Sequence, residues 1–190
     1  MIIQIRGTSG SGKTSVMREV MKHFSWEKVY VPKRKKPLYY RHNGIVVMGH
    51  YEDSACGGCD TIGSAPQVWK EIQKLDPVEA SVVLCEGLLL SEDVKWATVM
   101  HEEEDEGGPG LRIVYLTTPV EECLRRIQKR RDAVGNTKPL NPLNTTRRVG
   151  VIEKSRLKLL AEGVDCRRCS SEQAPRIIMK WLRLHAQQEF

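Results

Sequence analysis

The chain has 190 residues, of which 40% are hydrophobic, and a formal net charge of +6. This length suits one domain over residues 1–190 and argues against two. No apolar run approaches the length of a membrane span, and no basic leader precedes the first apolar run, so we expect a soluble cytoplasmic protein without a membrane partner. The positive charge favours polyanionic partners, and the sequence does not indicate an oligomeric state.

The first apolar run, "MIIQI", predicts a strand, and "GTSGSGKT" follows it directly. This motif matches G-x-x-x-x-G-K-[ST], and an amphipathic helix pattern comes next, through Phe24. In a strand–loop–helix setting the loop N–H groups converge on phosphates, Lys13 reaches the outer phosphates and the Thr14 hydroxyl binds Mg²⁺. We therefore predict an ATP and Mg²⁺ site whose nucleotide-binding residues are Gly7, Thr8, Ser9, Gly10, Ser11, Gly12, Lys13, Thr14 and Ser15.

A second short strand, "KVYVP", leads into the basic run "KRKK" at Lys33 to Lys36. Two apolar runs then flank Asn43-Gly44, a pair typical of tight hairpin turns. We predict a β-hairpin insertion over about residues 36–53, beside the core sheet. Lysines next to Tyr39 and Tyr40 favour a ribbon that follows a nucleic-acid backbone and stacks on a base.

Helices and strands alternate in the rest of the chain. Ser64 and Gln67 are spaced as a capping box before a helix, "ASVVLCEG" predicts a buried strand ending at Glu86, and "LRIVYLT" predicts another. The helix "TPVEECLRRIQKRR", with Thr118 as its expected N-cap, precedes a proline-rich segment that we interpret as a mobile lid over about residues 130–150. A further helix, a short strand and a last helix follow.

This alternation predicts an α/β fold with a parallel five-stranded sheet, helices on both faces, and ligands at the carboxyl ends of the strands. Glu86 closes a buried strand, where an acidic side chain can act in catalysis and, together with Thr14, hold the metal. Arg126 and Arg130 share one helix face beside the lid and are candidates to neutralise the transferring phosphate. Because Glu121 and Glu122 are spaced to pair with arginines on that helix, a solvated ion-pair surface also explains the cluster.

The acceptor needs a general base, and the loop "GHYEDSACGGCDTI" offers carboxylates. Asp60 is the first choice because the preceding glycines allow a turn that brings it towards an acceptor hydroxyl, and Asp53 is the second. A loop carboxylate or a helix cap is the alternative for either residue.

Four of the six cysteines form two CxxC pairs, Cys56 with Cys59 and Cys166 with Cys169. Four thiolates can close a tetrahedral zinc shell. The two pairs flank different core elements, however, and "VDCRRCS" also fits a short strand that enters a loop. Zinc binding therefore stays open.

The phosphate-binding loop, the strand ending "CEG", the "TPVEECLRRIQKRR" helix and the proline-rich lid together resemble the small P-loop kinases over nearly the whole chain. Within them the chain is most similar to bacteriophage kinases of the 5-hydroxymethyluridine DNA kinase type. That resemblance implies transfer of the ATP γ-phosphate to a hydroxymethyl group on a DNA base, in the host cytoplasm. Gly12, Lys13 and Thr14 match the motif of these kinases, and Asp60 and Glu86 match them by position after strands. Together with Arg126 and Arg130 from the helix pattern, Lys13, Asp60 and Glu86 form the expected catalytic site. Two alternatives stay open: a kinase of a free nucleoside or nucleotide, and a non-catalytic nucleotide-binding protein.

Overall fold

The computed structural model describes residues 1–52, 57–105 and 110–188. Within these residues seven strands form one sheet. The strands are β1 (Ile2–Arg6), β2 (Glu27–Val29), β3 (Tyr39–His42), β4 (Ile45–Met48), β5 (Val82–Glu86), β6 (Leu111–Leu116) and β7 (Asp165–Cys169). The helices are α1 (Lys13–Met21), α2 (Ala65–Ile72), α3 (Leu88–Glu92), α4 (Lys95–Asp105), α5 (Val120–Ala133), α6 (Pro142–Ala161) and α7 (Ala174–Gln188), with a 3₁₀ turn at Cys59–Thr61.

The order of strands across the sheet is β2-β3-β4-β5-β1-β6-β7. From β4 to β7 neighbouring strands are parallel, whereas β2 and β3 join the edge in antiparallel pairs. The chain places β5 on one side of β1 and β6 on the other, so the topology reverses at β1. Crevices form at the carboxyl ends of the strands at such a reversal, and the phosphate-binding loop begins there.

Two apolar cores lie on the two faces of the sheet because side chains alternate along each strand. On one face Ile3 and Ile5 pack with α1 and α7, including the buried Trp181. On the other face Ile2 packs with α2, α4 and α6, including the buried Trp69. The helices thus cover both faces and leave the ends of the strands to carry the site.

Arg6 is a charged side chain completely enclosed within the second face. Its guanidinium donates to the hydroxyl oxygens of Ser155 in α6, at 3.0 Å, and Tyr115 in β6, at 3.3 Å. It also donates to the carbonyl of Asp93. Arg6 therefore ties the start of the phosphate-binding loop to α6.

The α/β fold with helices on both sheet faces is confirmed, but the sheet is mixed rather than purely parallel. The predicted hairpin does not lie beside the sheet, because its strands β3 and β4 both belong to the sheet. Strand β4 is the fifth parallel strand. The strand predicted at "KVYVP" as part of the core is instead the antiparallel edge strand β2. The hairpin pattern specifies the turn at Asn43-Gly44 correctly but not which neighbour each strand pairs with.

Two helix boundaries also differ from the sequence patterns. Pro119, rather than Thr118, is the N-cap of α5, and the Thr118 hydroxyl instead donates to the Ser11 carbonyl of the phosphate-binding loop at 2.7 Å. The following helix begins at Pro142 with Asn141 as its cap, inside the proline-rich segment. Among the described residues no helix is both long and apolar enough to cross a membrane.

Candidate functional site

The phosphate-binding loop joins β1 to α1 and contacts the start of α5. Gly10 has a φ of +78°, and a Cβ at this position would lie 2.4 Å from the Cys123 carbonyl oxygen. A side chain at Gly10 would therefore both strain the backbone and separate the loop from α5. This local requirement explains why the loop needs glycine there, apart from any ligand.

Lys13 lies under the loop, buried, with its ammonium directed at loop carbonyls. Its Nζ donates to the carbonyl oxygens of Gly7 at 2.9 Å and Thr8 at 3.1 Å. Burial lowers the pKa of Lys13, and the nearby Glu86 and Asp60 carboxylates oppose this shift. The ammonium can exchange its carbonyl contacts for phosphate oxygens without leaving the loop.

Glu86 ends β5 and faces the first turn of α1, where it is only 1% exposed. The Thr14 hydroxyl donates to its Oε1 at 2.9 Å. Burial raises the pKa of Glu86, and the Lys13 charge and the Thr14 hydrogen bond offset only part of that effect. A buried carboxylate next to a hydroxyl oxygen fits the hard oxygen ligands that Mg²⁺ prefers, because a cation there would stabilise the charged carboxylate.

Asp60 lies in the 3₁₀ turn and is exposed. Its carboxylate accepts the Leu88 N–H at 2.9 Å and the Leu89 N–H at 3.3 Å, so it caps α3. A Cβ on Gly87 would lie 2.9 Å from Asp60 Oδ1, which shows how closely the turn approaches the end of β5. The cap role and the acceptor role predicted for Asp60 are compatible, since a carboxylate has further lone pairs that face the cavity.

Gly58 makes the close approach of the 3₁₀ turn to Glu86 possible. Its φ is +73°, and a Cβ there would lie 2.3 Å from Glu86 Oε1. Glycine is thus required on both conformational and spatial grounds. The "CGGC" run, considered above as half of a zinc site, has this second and independent explanation.

Arg126 and Arg130 project from α5 towards the same region. Arg126 Nε donates to Glu122 Oε1 at 2.6 Å, and its Nη1 is 3.4 Å from the Gly10 carbonyl oxygen. Arg125 pairs with the same glutamate at 2.6 Å but is not among the residues that line the cavity described next. Hydrogen bonds from Arg125 and Arg126 lower the pKa of Glu122 to about 2. Arg126 therefore fits both interpretations, whereas Arg125 fits the ion-pair interpretation alone.

These side chains meet at a cavity of about 420 Å³ at the carboxyl edge of the sheet. Its lining consists of Ser9, Gly10, Gly12, Lys13, Thr14, Ser15, Arg18, Gly57, Asp60, Glu86, Leu88, Arg126 and Arg130. The predicted catalytic residues all line it, whereas the loop residues Gly7, Thr8 and Ser11 are buried and do not line it. Asp53 lies outside the described residues.

Sequence reasoning missed Arg18, which lines the cavity and donates from Nε to the Tyr51 carbonyl at 3.1 Å. A signal for it was present, because Arg18 is four residues after Thr14 on α1 and therefore lies on the same helix face. The lining glycine Gly57 and the α3 residue Leu88 had no comparable signal. Gly57 belongs to a loop and Leu88 begins a short helix, and the positions of both depend on the whole fold.

The predicted stacking role of the hairpin tyrosines is wrong for Tyr40. Its ring is 3% exposed, and its hydroxyl oxygen accepts the Tyr51 N–H at 3.2 Å. Tyr39 packs partly buried against the opposite core. Alternation along β3 sends neighbouring side chains to opposite faces, so a pair of adjacent tyrosines cannot form one stacking surface.

The described cysteines do not converge on one site. Cys166 packs on one face of the sheet and Cys169 on the other. Cys59 contacts Met48 at the end of β4, and four strand spacings, about 19 Å, separate β4 from β7. A zinc site shared by Cys59, Cys166 and Cys169 is therefore excluded by geometry, and Cys56 lies outside the described residues.

Two bacteriophage proteins with the same name are similar to this chain. A "5-hmdU DNA kinase" of Pseudomonas phage PaMx11 is 42% identical over 151 residues, which cover 76% of this chain and 77% of that protein. A "5-hmdU DNA kinase" of Pseudomonas phage M6 is 31% identical over 175 residues, 87% of this chain and 88% of that protein. No protein-family model matches the chain.

Among solved structures, a deoxyadenosine kinase from M. mycoides with bound dATP aligns with 96% of this chain and all of its own, at 14% identity and a TM-score of 0.48. The phage relatives match across most of both chains. The chain is a P-loop kinase and belongs to the 5-hmdU DNA kinase family.

Proposed function

We propose that this kinase transfers the γ-phosphate of ATP to the hydroxymethyl oxygen of 5-hydroxymethyluracil in DNA. The observation that carries the proposal is the convergence of Lys13, the Thr14–Glu86 pair and Asp60 on one cavity. The names of the phage relatives supply the acceptor. The cavity supplies the groups that phosphoryl transfer to an alcohol needs: a phosphate cradle, oxygen ligands for a cation, and a carboxylate for the acceptor proton.

The phosphate side of the reaction belongs to the loop and α5. The loop N–H groups and Lys13 bind the triphosphate, and Arg126 and Arg130 offset the charge that spreads over the migrating group. Thr14 and Glu86 would hold Mg²⁺, which when bound neutralises charge on the phosphate oxygens. Exclusion of water by the predicted lid would favour transfer to the base over hydrolysis.

A second cavity, of about 340 Å³, lies on the other side of Arg126 and is lined by Ser15, Ser171 and Pro175 among others. We assign the adenine of ATP to it, because Arg126 lines both cavities and can contact the phosphates and flank the base at once. The arginine face and the proline offer flat surfaces for a purine ring.

The acceptor side belongs to the 3₁₀ turn. Asp60 would accept the proton of the hydroxymethyl group as the oxygen attacks the γ-phosphorus, and its contacts with the α3 N–H groups hold its carboxylate in place. Asp53 stays the second candidate for this role. A base in a duplex must leave the stack to reach the cavity, whereas a single strand meets no such cost.

The direct test supplies γ-labelled ATP and Mg²⁺ with three acceptors: DNA containing 5-hydroxymethyluracil, the same DNA with thymine, and free 5-hydroxymethyldeoxyuridine. We expect label in the first acceptor and far less in the other two. Lys13→Ala, which removes the phosphate contact and no core packing, is the inactive control. Label in the free nucleoside with none in DNA would establish the free-nucleoside kinase instead.

A further inference from the structure

The basic segment between β2 and β3, Lys33 to Lys36, begins with an unusual turn. The Arg34 N–H donates to the Val31 carbonyl at 3.1 Å, which closes a four-residue turn with Pro32 and Lys33 at its centre. Lys33 has a φ of +67°, in the left-handed region. Turns of this kind prefer glycine or asparagine at that position because a Cβ there is strained.

No contact of the Lys33 side chain with the rest of the described protein offsets that backbone strain. It is exposed, and within the described part of the chain it makes no ion pair or side-chain hydrogen bond. A strained residue without an internal contact points to a role for its side chain outside the protein. An exposed lysine beside the exposed Lys35 fits a phosphate group of a nucleic-acid backbone.

Arg34 behaves differently from its lysine neighbours because it turns inward and is half-buried. Its Nη2 donates to the Thr61 carbonyl oxygen at 3.1 Å and lies 3.4 Å from the Thr61 hydroxyl, while Nε donates to the Pro37 carbonyl at 3.3 Å. Thr61 directly follows Asp60 in the 3₁₀ turn. One side chain therefore connects the basic segment to the turn that carries the acceptor carboxylate.

The 3₁₀ turn is held from both directions. Arg34 contacts it at Thr61, and Asp60 anchors it to the start of α3 through the Leu88 N–H. The Thr61 hydroxyl also donates to the Gly58 carbonyl at 2.7 Å, which ties Arg34's contact to the glycine packed against Glu86. A displacement of the basic segment would thus displace Asp60 relative to the phosphate-binding loop.

We propose that Arg34 is a positioning residue that sets the distance between the DNA phosphate bound at Lys33 and Lys35 and the acceptor carboxylate Asp60. This inference rests on the proposed function and specifies how the DNA strand is registered on it. The lysines bind a backbone phosphate near the modified nucleotide. Arg34 converts that contact into a fixed position of the hydroxymethyl group at the cavity, where small misplacements are costly.

The first experiment separates kcat from KM on a 5-hydroxymethyluracil oligonucleotide. Arg34→Ala and Arg34→Lys should lower kcat by about ten- to a hundredfold and leave ATP binding unchanged, because the geometry of Asp60 is lost but the loop is not. Lys35→Ala should instead raise KM at nearly constant kcat, and it should reduce the slope of log KM against log salt by about one. Arg41→Ala, which removes an equal charge paired with Glu27 on the exposed side of β3, should change neither.

The second experiment reads the register directly, with oligonucleotides in which one phosphate at a time is replaced by a neutral methylphosphonate. In the unmodified enzyme we expect one position near the modified nucleotide to be sensitive. Lys33→Gly should reduce that sensitivity while leaving the melting temperature equal or higher, since glycine relieves the positive φ. Arg34→Lys should keep the sensitivity, since both lysines remain, but with the lower kcat.

The outcomes distinguish a failure of the proposed function from a failure of the positioning role of Arg34. If the unmodified enzyme does not label any 5-hydroxymethyluracil DNA, the proposed function is wrong. If it does, and folded Arg34→Lys retains full kcat, the positioning role of Arg34 is overturned. Should Arg34→Ala fail to fold, Arg34→Lys decides alone. Equal sensitivity to every phosphate position would contradict a registered contact.

Discussion

Glu86 and Lys13 are both enclosed beneath the phosphate-binding loop, and burial opposes the charge on each. Because the pKa of Glu86 is raised above its ordinary value near 4.5, the folded state favours the protonated carboxyl. The charged form of Glu86 therefore destabilises the folded state. This destabilisation is absent below pH 4.5 and develops as the pH rises through the folded-state pKa. The free enzyme thus carries an electrostatic cost that a bound cation would relieve.

We predict that Glu86→Gln, which mimics the protonated carboxyl, abolishes phosphoryl transfer yet raises the melting temperature at neutral pH, by about 2–4 °C. The gain should disappear near about pH 4, where the native carboxyl is protonated as well. Thermal scans across pH, with and without Mg²⁺, measure both effects. A variant that is less stable at neutral pH than the unmodified chain would contradict the buried-charge interpretation.

Asp60 makes two kinds of contact that substitution can separate. Asp60→Asn removes the proton acceptor, so we expect kcat to fall about a hundredfold or more with little change in ATP binding. The amide oxygen still accepts an α3 N–H, so stability should fall by about 1 kcal/mol at most. Asp76→Asn, at a loop carboxylate that similarly accepts a backbone N–H, from Val78 at 2.9 Å, is the matched control.

The same kinetic comparison tests Asp53. If Asp60 is the base, Asp53→Asn has a mild effect on kcat. A large loss at Asp53 with near-normal turnover in Asp60→Asn would transfer the role to Asp53, and Asp60 would then be a helix cap alone.

Helix α5 carries two neighbouring arginines that share one partner and differ in direction. Arg126 lines the cavity, whereas Arg125 pairs with Glu122 on the exposed surface. We expect Arg126→Ala to lower kcat by about ten- to a hundredfold, because charge stabilisation of the transferring phosphate is lost. Arg125→Ala should stay within about twofold, as an exposed ion pair contributes little. Similar losses in both variants would indicate a general effect of charge on α5.

The segment between α5 and α6, residues 134–141, is where we place the moving part of the predicted lid. Without nucleotide it should be cut by trace amounts of a non-specific protease, and an ATP analogue with Mg²⁺ should protect it. Lys13→Ala, which cannot bind the outer phosphates normally, should lose that protection. Equal cleavage rates with and without the analogue would show that the segment does not close.

The sequence predicted elements well where local patterns decide them. The phosphate-binding loop between β1 and α1, the Asn43-Gly44 turn and the capping box at Ser64, whose N–H donates to Gln67 Oε1 at 2.7 Å, are all present. Strand pairing was harder to predict, because nothing within the sequence of β2 or β4 specifies which strand each one pairs with. The burial of Tyr40 follows from that pairing and could not be inferred before it.

The same distinction applies to the site. Lys13, Thr14 and Glu86 are predictable because a motif or a strand end fixes their positions, and they meet in the structure at 2.9 Å between Thr14 Oγ1 and Glu86 Oε1. Arg34 and its contact with Thr61 join segments 27 residues apart. Only the three-dimensional fold reveals a contact of that kind, since neither residue carries a recognisable motif.

At the scale of the whole molecule, the elements that line the two cavities lie on opposite sides of β1. The phosphate-binding loop lies at the reversal, α5 and α7 approach from the β6–β7 side, and the 3₁₀ turn and the basic segment approach from the β4–β5 side. In the proposed reaction, nucleotide and acceptor thus reach the same edge of the sheet from opposite directions. The net charge of +6 suits a polyanionic acceptor. The exposed Lys33 and Lys35 belong to the basic segment on the β4–β5 side, where we place that acceptor.

The position of the transferred phosphate on the product distinguishes the DNA base from every other acceptor. After reaction with ATP and Mg²⁺, DNA containing 5-hydroxymethyluracil is digested to nucleosides and analysed by mass spectrometry, with fragmentation that separates base from sugar. We predict one added phosphoryl group on the base fragment of 5-hydroxymethyldeoxyuridine, and no added group on thymidine or on any sugar. A phosphate on a sugar hydroxyl, or an unmodified base in DNA beside a phosphorylated free nucleoside, would contradict the assignment of the DNA base as acceptor.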